Sequence, residues 1–309
     1  MASIAVVTGG AGFIGSHVAT ALVQQGWQVR VLDSLAGGRW SNLAHIQGDV
    51  ECVEGDIRDT ALVQKTLQGA SALFHKAAMV SVAESVERPL ECHAVNGTGT
   101  QGLFDAARLA GVERIVFAAS AAAYGRREGL PKRETDEPEP VSPYAATKLY
   151  GEHLCSTYTS VYGMAAFPLR YFNIYGPRQD PRGPYAAVIS KFVEVMRAGR
   201  APMVFGDGGQ TRDFCFVGDV VQANLLALRA PVSAAGQAIN IGTGRQTSLL
   251  DLLDCLNGLM GTQYPAQFGP ERVGDIRHSL ASIERARALL GYEPSVTLRQ
   301  GLQRLLDAG

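Results

Sequence analysis

One junction constrains the fold of this chain more than any other. The apolar run SIAVVTGG leads through TGGAGFIGS into a helical pattern, so a strand, a glycine turn and a helix follow one another directly. Gly9, Gly12 and Gly15 stand in a GxxGxxG spacing. Glycines there allow a tight turn and a close backbone approach, while the helix that begins at Phe13 and Ile14 offers free N–H groups and a positive dipole end to an anion. Ile14, Val18, Ala21 and Leu22 mark one face of that helix, which should stop near Gly26.

The next strand-like run, QVRVLD, ends on Asp33, 18 residues after Gly15. A carboxylate at that point accepts hydrogen bonds from a ribose diol and repels a 2′-phosphate. The turn and the acid together read as a dinucleotide site that takes NAD(H) in preference to NADP(H), with Arg39 as the one nearby feature on the other side of the balance. VECVEGD is a third strand, and Asp56 and Ile57 at its end could meet an adenine edge or equally form a turn. ALFHKAA and RIVFAAS are further strands, each followed by helix-compatible sequence. Repeated β-then-α units predict an α/β fold of the Rossmann type, a doubly wound parallel sheet with helices on both faces.

After about residue 168 the texture changes, because RGP, GDGGQ and GTGRQ break the chain into shorter elements. This predicts an NAD-binding domain over 1–168 and a smaller α/β substrate-binding domain over 169–309. The helical run DVVQANLLALRA suggests that a segment of about 214–238 returns to the first domain. With 309 residues the chain is long enough for either arrangement.

Charge and cysteine content exclude several functions. Lys plus Arg total 28 against 29 for Asp plus Glu, so no global field recruits nucleic acid or an anionic membrane. The five cysteines are scattered without CxxC or zinc-type spacing, which points to a reducing cytoplasm with neither disulfide framework nor metal site. The chain opens on a strand-like run instead of a signal segment, and no apolar stretch is long enough to cross a bilayer.

The reactive chemistry is carried by SPYAATK, residues 142–148. Ser142 is a good N-cap and Pro143 suits the first helical position, so a helix begins here. Tyr144 then lies in its first turn with Lys148 on the same face one turn later. A positive charge near a phenol favours the phenolate, which makes this pair a candidate proton acceptor.

Taken with SAAAYG, RYFNIYGPRQDP, GDGGQTRDF, NIGTG and GDIRHS in that order, these motifs resemble the extended short-chain dehydrogenase/reductase family over essentially the whole chain. Within it the resemblance is greatest to nucleotide-sugar 4-epimerases, above all bacterial UDP-N-acetylglucosamine 4-epimerases. It implies that Ser120 hydrogen-bonds the reacting hydroxyl and that Tyr144 is the general base on the sugar 4-OH. The hydride at C4 would leave for NAD⁺, while Lys148 holds the nicotinamide ribose and lowers the tyrosine pKa together with the cofactor's charge. It also implies cofactor contacts at Ala77 and Asn96, the latter helping to order the region. Related dehydratases and decarboxylases place an acidic residue just after the serine position. Here Ala121, Ala122 and Ala123 follow, and methyl groups cannot move protons. Two departures from the family pattern are Ala119 before Ser120 and Lys76 in HKAA, where an apolar residue is usual.

For the substrate, the resemblance implies contacts from Ser81, Asn173 and Arg212, with Arg272 as a second guanidinium and Asp275 accepting from a ribose hydroxyl. Planar guanidinium forks suit a pyrophosphate, although surface salt bridges would use the same residues. Val188 could flank the uracil or belong to the core. Ser279 stands where a bulky tyrosine restricts the pocket to plain hexoses, so its small side chain leaves room for a 2-acetamido group. The implied activity is interconversion of UDP-GlcNAc and UDP-GalNAc, with UDP-Glc and UDP-Gal as further substrates. The alternatives are a UDP-glucose or UDP-glucuronate 4-epimerase, a nucleotide-sugar dehydratase, and a non-catalytic NAD(H)-binding regulator. The family's habit of pairing two helices per subunit implies a homodimer through TGTQGLFDAARLAG and SPYAATKLYGEHLCSTY.

Overall fold

The computed structural model describes residues 3–180, 188–271 and 276–308. Seven parallel strands form the main sheet: β1 (Ile4–Thr8), β2 (Gln28–Asp33), β3 (Val50–Glu54), β4 (Ala72–His75), β5 (Arg114–Ser120), β6 (Ala165–Tyr171) and β7 (Ile239–Ile241). Their spatial order is β7-β6-β5-β4-β1-β2-β3. The order reverses between β1 and β4, and a crevice opens beyond the carboxyl ends of these two strands, where ligands bind in doubly wound sheets.

Apart from the exposed edge strand β3, the sheet is buried on both faces, which explains why its other strands read as nearly continuous apolar runs. Along β5, Val116 and Ala118 point into one core while Ile115, Phe117 and Ala119 point into the other. Helix α1 (Phe13–Gln24) and the much later helix α2 (Val217–Arg229) cover the first face, with Val18 and Leu22 sharing a core with Val220 and Ala227. The opposite face is covered by Thr100–Leu109 and by Pro143–Tyr162, whose Leu154, Cys155 and Tyr158 pack with Phe104 and Phe117.

A third core lies under the short strands that follow β6. Strand Asn173–Tyr175 pairs in parallel with Phe214–Phe216, Met203–Phe205 with Gln267–Gly269, and Thr211–Arg212 runs antiparallel to Thr247–Ser248. Helices Val188–Arg197, Leu249–Met260 and Leu298–Asp307 close this core around Phe192, Val204, Leu252 and Leu302. The chain leaves the main sheet after β6 and comes back to it with α2 and then β7, which pairs with β6 through Ile239 and Leu169.

Candidate active site

The glycine turn is shaped by close packing. Gly9 has φ of 67°, and a Cβ there would stand 2.6 Å from the Ala77 nitrogen, so β1 and the residues after β4 meet with no room for a side chain. A Cβ on Gly15 would lie 2.1 Å from the Gly9 carbonyl oxygen, which is why the first turn of α1 can sit directly on the loop. Gly12 is the N-cap residue, and its N–H donates to the Gly9 carbonyl at 3.2 Å. Phe13 and Ile14 follow in the first turn and lean against the third core.

Asp33 ends β2 with one carboxylate oxygen accepting from the Ala11 N–H at 2.9 Å and the other from the Leu35 N–H at 2.8 Å. Burial raises its pKa, and these backbone donors, with Gly12, pull it back. The acid thus fixes the glycine turn as well as facing the crevice. Arg39 is ion-paired with Asp180, so its charge has a protein partner. The third strand ends at Glu54, earlier than the sequence suggests: Asp56 lies beyond it and accepts from the Arg58 N–H and guanidinium, forming an Asx-type turn. The Arg58 guanidinium holds the Asp56 carboxyl below its ordinary pKa, and Ile57 is buried in the core.

The catalytic candidates come from two elements. Ser120 is the last residue of β5, and its Oγ accepts from the Ala122 N–H at 3.2 Å, capping a single 3₁₀ turn over Ala121–Tyr124. Ser142 caps the long helix by accepting from the Ala145 N–H at 3.1 Å, with Pro143 at the first helical position. These two caps position the Ser120 hydroxyl near the Tyr144 phenol. The Lys148 amine lies 5.8 Å from the Tyr144 ring centroid and donates to the Ala118 carbonyl at 2.8 Å.

Burial sets the ionisation of both groups. It lowers the Lys148 pKa to about 8 and raises that of Tyr144, with the Ser120 bond opposing the rise. The lowering of the tyrosine pKa expected from Lys148 therefore does not prevail among the chain's own groups. A buried phenol pays the full cost of losing water around its anion.

The surrounding frame was only partly legible in the sequence. Asn96, in the π-helical stretch Ala94–Gly99, accepts from the Met79 N–H at 2.8 Å and donates to the Met79 carbonyl at 2.9 Å and to Thr147 Oγ1 at 3.3 Å. It ties the loop after β4 to the catalytic helix, so its amide is spent on protein contacts. Ala77, in that loop, packs on Gly9. Ser81 caps the helix Val82–Glu87 by accepting from the Glu84 N–H. His75, buried between Thr8 Oγ1 at 2.8 Å and Thr100 Oγ1 at 2.9 Å, clamps β1, β4 and the Thr100 helix together.

Beyond the carboxyl end of β6, Asn173 is half-buried and pairs with Phe214. Arg212 donates to the Thr211 and Arg277 carbonyls, and the Ser279 N–H donates to the Thr211 carbonyl at 3.1 Å, so strand 211–212 brings Arg212 and Ser279 together. Val188 begins its helix half-buried against the third core, and Ile189 beside it is fully enclosed there. Arg272 and Asp275 lie outside the described residues.

Asp213 carried no sequence signal beyond following Arg212. It is completely buried and accepts from the Thr243 N–H at 2.7 Å, Thr243 Oγ1 at 2.6 Å, the Gly244 N–H at 3.0 Å and the Ala281 N–H at 3.1 Å. One carboxylate thereby ties two separate loops, at Thr243–Gly244 and at Ala281, to the chain beside Arg212.

The geometry fits a dinucleotide: the Gly12 helix end and Asp33 lie at one side of the crevice, with Ser120, Tyr144 and Lys148 at the other. Among the described residues no His, Cys, Asp and Glu cluster could hold a metal, and no helix is long and apolar enough to cross a membrane. Comparison with known proteins agrees with this reading. A UDP-glucose 4-epimerase of Mycolicibacterium smegmatis is 40% identical over 306 residues, covering 98% of this chain and 97% of that one. A UDP-N-acetylglucosamine 4-epimerase from Methanobrevibacter ruminantium M1, solved with UDP-N-acetylmuramic acid, superimposes with a TM-score of 0.94 at 33% identity, over 100% of this chain and 98% of the other. The UDP-glucose 4-epimerase of Thermus thermophilus, solved with NAD, gives a TM-score of 0.88 at 37% identity, over 99% and 98%. Residues 5–242 match the family model as well, and the chain belongs to the NAD dependent epimerase/dehydratase family.

Proposed function

We propose that this protein is an NAD-dependent 4-epimerase of UDP-sugars that interconverts UDP-GlcNAc and UDP-GalNAc, and also UDP-Glc and UDP-Gal, through a 4-keto intermediate. The observation that carries the reading is Lys148 set 5.8 Å from the Tyr144 ring, with Ser120 at the end of β5 followed by three alanines in the 3₁₀ turn. Ser120 orients the sugar 4-hydroxyl, and Tyr144 takes its proton as the ketone forms and returns it when the alcohol is restored. NAD, when bound, supplies the acceptor and later the donor for the C4 hydrogen and its electron pair. Lys148 contributes positive charge beside the phenol and, anchored on the Ala118 carbonyl, holds a fixed place at the ribose side. Ala121, Ala122 and Ala123 offer no acid for elimination, which favours epimerisation over dehydration.

Ser279 supports the acetamido sugar, because its small side chain leaves volume where a larger residue would exclude that group. A small residue rejects the plain hexose only weakly, so both substrates turn over. We assign residues 1–168, with the returning α2 segment, to NAD and the remainder to the nucleotide sugar. A homodimer is supported by Leu109, Tyr150, Val161 and Tyr162, which stay exposed on the Thr100–Leu109 and Pro143–Tyr162 helices. Incubating the protein separately with UDP-GlcNAc and UDP-Glc and following the H4 and anomeric NMR signals tests the proposal. Conversion of both is expected; turnover of UDP-Glc alone would overturn the acetamido assignment, and turnover of neither with NAD retained would overturn the epimerase.

A further inference from the structure

Lys76 carries a buried amine beside this site that the reaction as described does not use. Its backbone lies against the glycine turn, since a Cβ on Gly9 would come within 2.8 Å of the Lys76 carbonyl carbon. Its side chain runs back along the sheet, where the amine donates to the Val116 carbonyl within β5 and to the hydroxyl of Tyr171, the last residue of β6, both at 3.1 Å. Tyr171 is the cross-strand partner of Ser120, and its hydroxyl also accepts from Asn224 at 2.8 Å. Val116 and Ala118 are two residues apart on β5, so Lys76 and Lys148 bind alternate carbonyls of one strand. Lys148 does so over the Phe117 ring, and Lys76 over the rings of Phe74 and Tyr171 in the opposite core. No carboxylate pairs with Lys76 among the described residues.

An amine built into a sheet without a counter-ion is costly, and the cost is met where the charge acts on something. We propose that Lys76 is a second cation for the redox half of the reaction, set in the floor of the crevice so that the bound dinucleotide is biased toward its reduced, uncharged ring. The inference rests on NAD binding with its reactive end at Tyr144, as read above. An oxidised nicotinamide is positive, so a nearby ammonium disfavours it, whereas the reduced ring has no charge to repel. By linkage, reduction and protonation of Lys76 favour one another.

The groups that face Lys76 leave this coupling intact. Lys148 and Cys155 approach from the catalytic helix, His75 from its own strand and Tyr171 from β6. Burial and Lys148 hold the Lys76 pKa well below that of a free lysine, with the Cys155 thiol opposing them only in part. The bias is therefore greatest at low pH and fades as Lys76 gives up its proton.

The test is a reductive titration of purified holoenzyme against a dye of known potential, followed by the absorbance of the reduced nicotinamide. Lys76→Gln keeps hydrogen-bond donors for Val116 and Tyr171 but carries no charge, and Lys76→Arg keeps the charge. The Gln variant is expected to hold about tenfold less reduced cofactor at a given potential, a midpoint lower by about 30 mV for a two-electron couple. The Arg variant should stay near the wild-type midpoint, and the gap between wild type and Gln should narrow as pH rises. Equal midpoints for Gln, Arg and wild type would overturn the proposal, even if turnover falls. Should the Gln variant not fold, the same titration on Lys76→Met decides. Wild-type protein without bound NAD would instead overturn the functional reading beneath it.

Discussion

Glu152 and Arg170 form a buried bidentate ion pair, with Arg170 Nε 2.8 Å and Nη2 2.7 Å from the two carboxylate oxygens. Glu152 lies one helical turn beyond Lys148, and Arg170 is the cross-strand neighbour of Ala119. The guanidinium also stacks 4.7 Å from the centroid of Tyr124, which closes the turn after Ser120. The pair thus locks the catalytic helix to the strands that carry the serine. Replacing Glu152 by Gln leaves a buried guanidinium without its anion and should cost about 3–5 kcal/mol. Urea unfolding monitored by circular dichroism measures it, and a loss under about 1 kcal/mol would refute the lock.

Tyr144→Phe removes the hydroxyl proposed to accept the proton and leaves the ring. Epimerase turnover should fall by about 10²–10⁴-fold, while NAD content, read by absorbance after denaturing the purified protein, should stay at the wild-type level. Retained turnover would move the base elsewhere.

Lys148 makes stability depend on pH in a defined direction. Its pKa falls from 10.5 in the unfolded chain to about 8 in the fold, so between these values the unfolded chain binds more protons. The burden of burying the charge is complete below the folded pKa and is relieved as pH rises from about 8 to 10.5. Wild type should therefore gain stability relative to Lys148→Met across that window. Parallel denaturation curves for the two proteins at every pH would contradict the assignment.

Two glycines separate close packing from mere helix propensity. Gly15→Ala drives a methyl into the Gly9 carbonyl, with backbone on both sides, and should cost about 2–4 kcal/mol and most of the NAD affinity. Gly102, in the Thr100–Leu109 helix, has nothing within 4 Å of an added Cβ. Gly102→Ala should raise stability by about 0.5–1 kcal/mol through helix propensity alone. Thermal melts of the two variants check both signs.

Ser279→Tyr fills the space beside Thr211 and Arg212. Turnover of UDP-GlcNAc should drop by at least about tenfold relative to UDP-Glc, measured by NMR under competition. An unchanged ratio would remove Ser279 from the specificity argument.

Structural signals are legible where the physics is local. The glycine spacing and the Ser142-Pro143 helix start each express a constraint within one turn of chain. Legibility failed wherever burial set the outcome. Tyr144 looked like a phenol eased toward its anion by a neighbouring lysine, yet desolvation outweighs that help. Of the two readings open for Asp56, its bond to the Arg58 N–H selects the turn, just beyond the end of β3. Val188 was ambiguous because core and ligand contact favour the same side chain.

By itself the amino-acid order determined the parallel α/β class, the glycine turn between β1 and α1 and the helix start at Ser142, because periodicity, caps and glycine spacing act between neighbours. Only the tertiary structure decided what surrounds them. Asp213 reaches Ala281 across 68 residues, His75 reaches Thr8 across 67, and Lys76 reaches Tyr171 across 95. Such contacts are chosen by which strands lie side by side and by the need to pair every polar group that the sheet takes out of water.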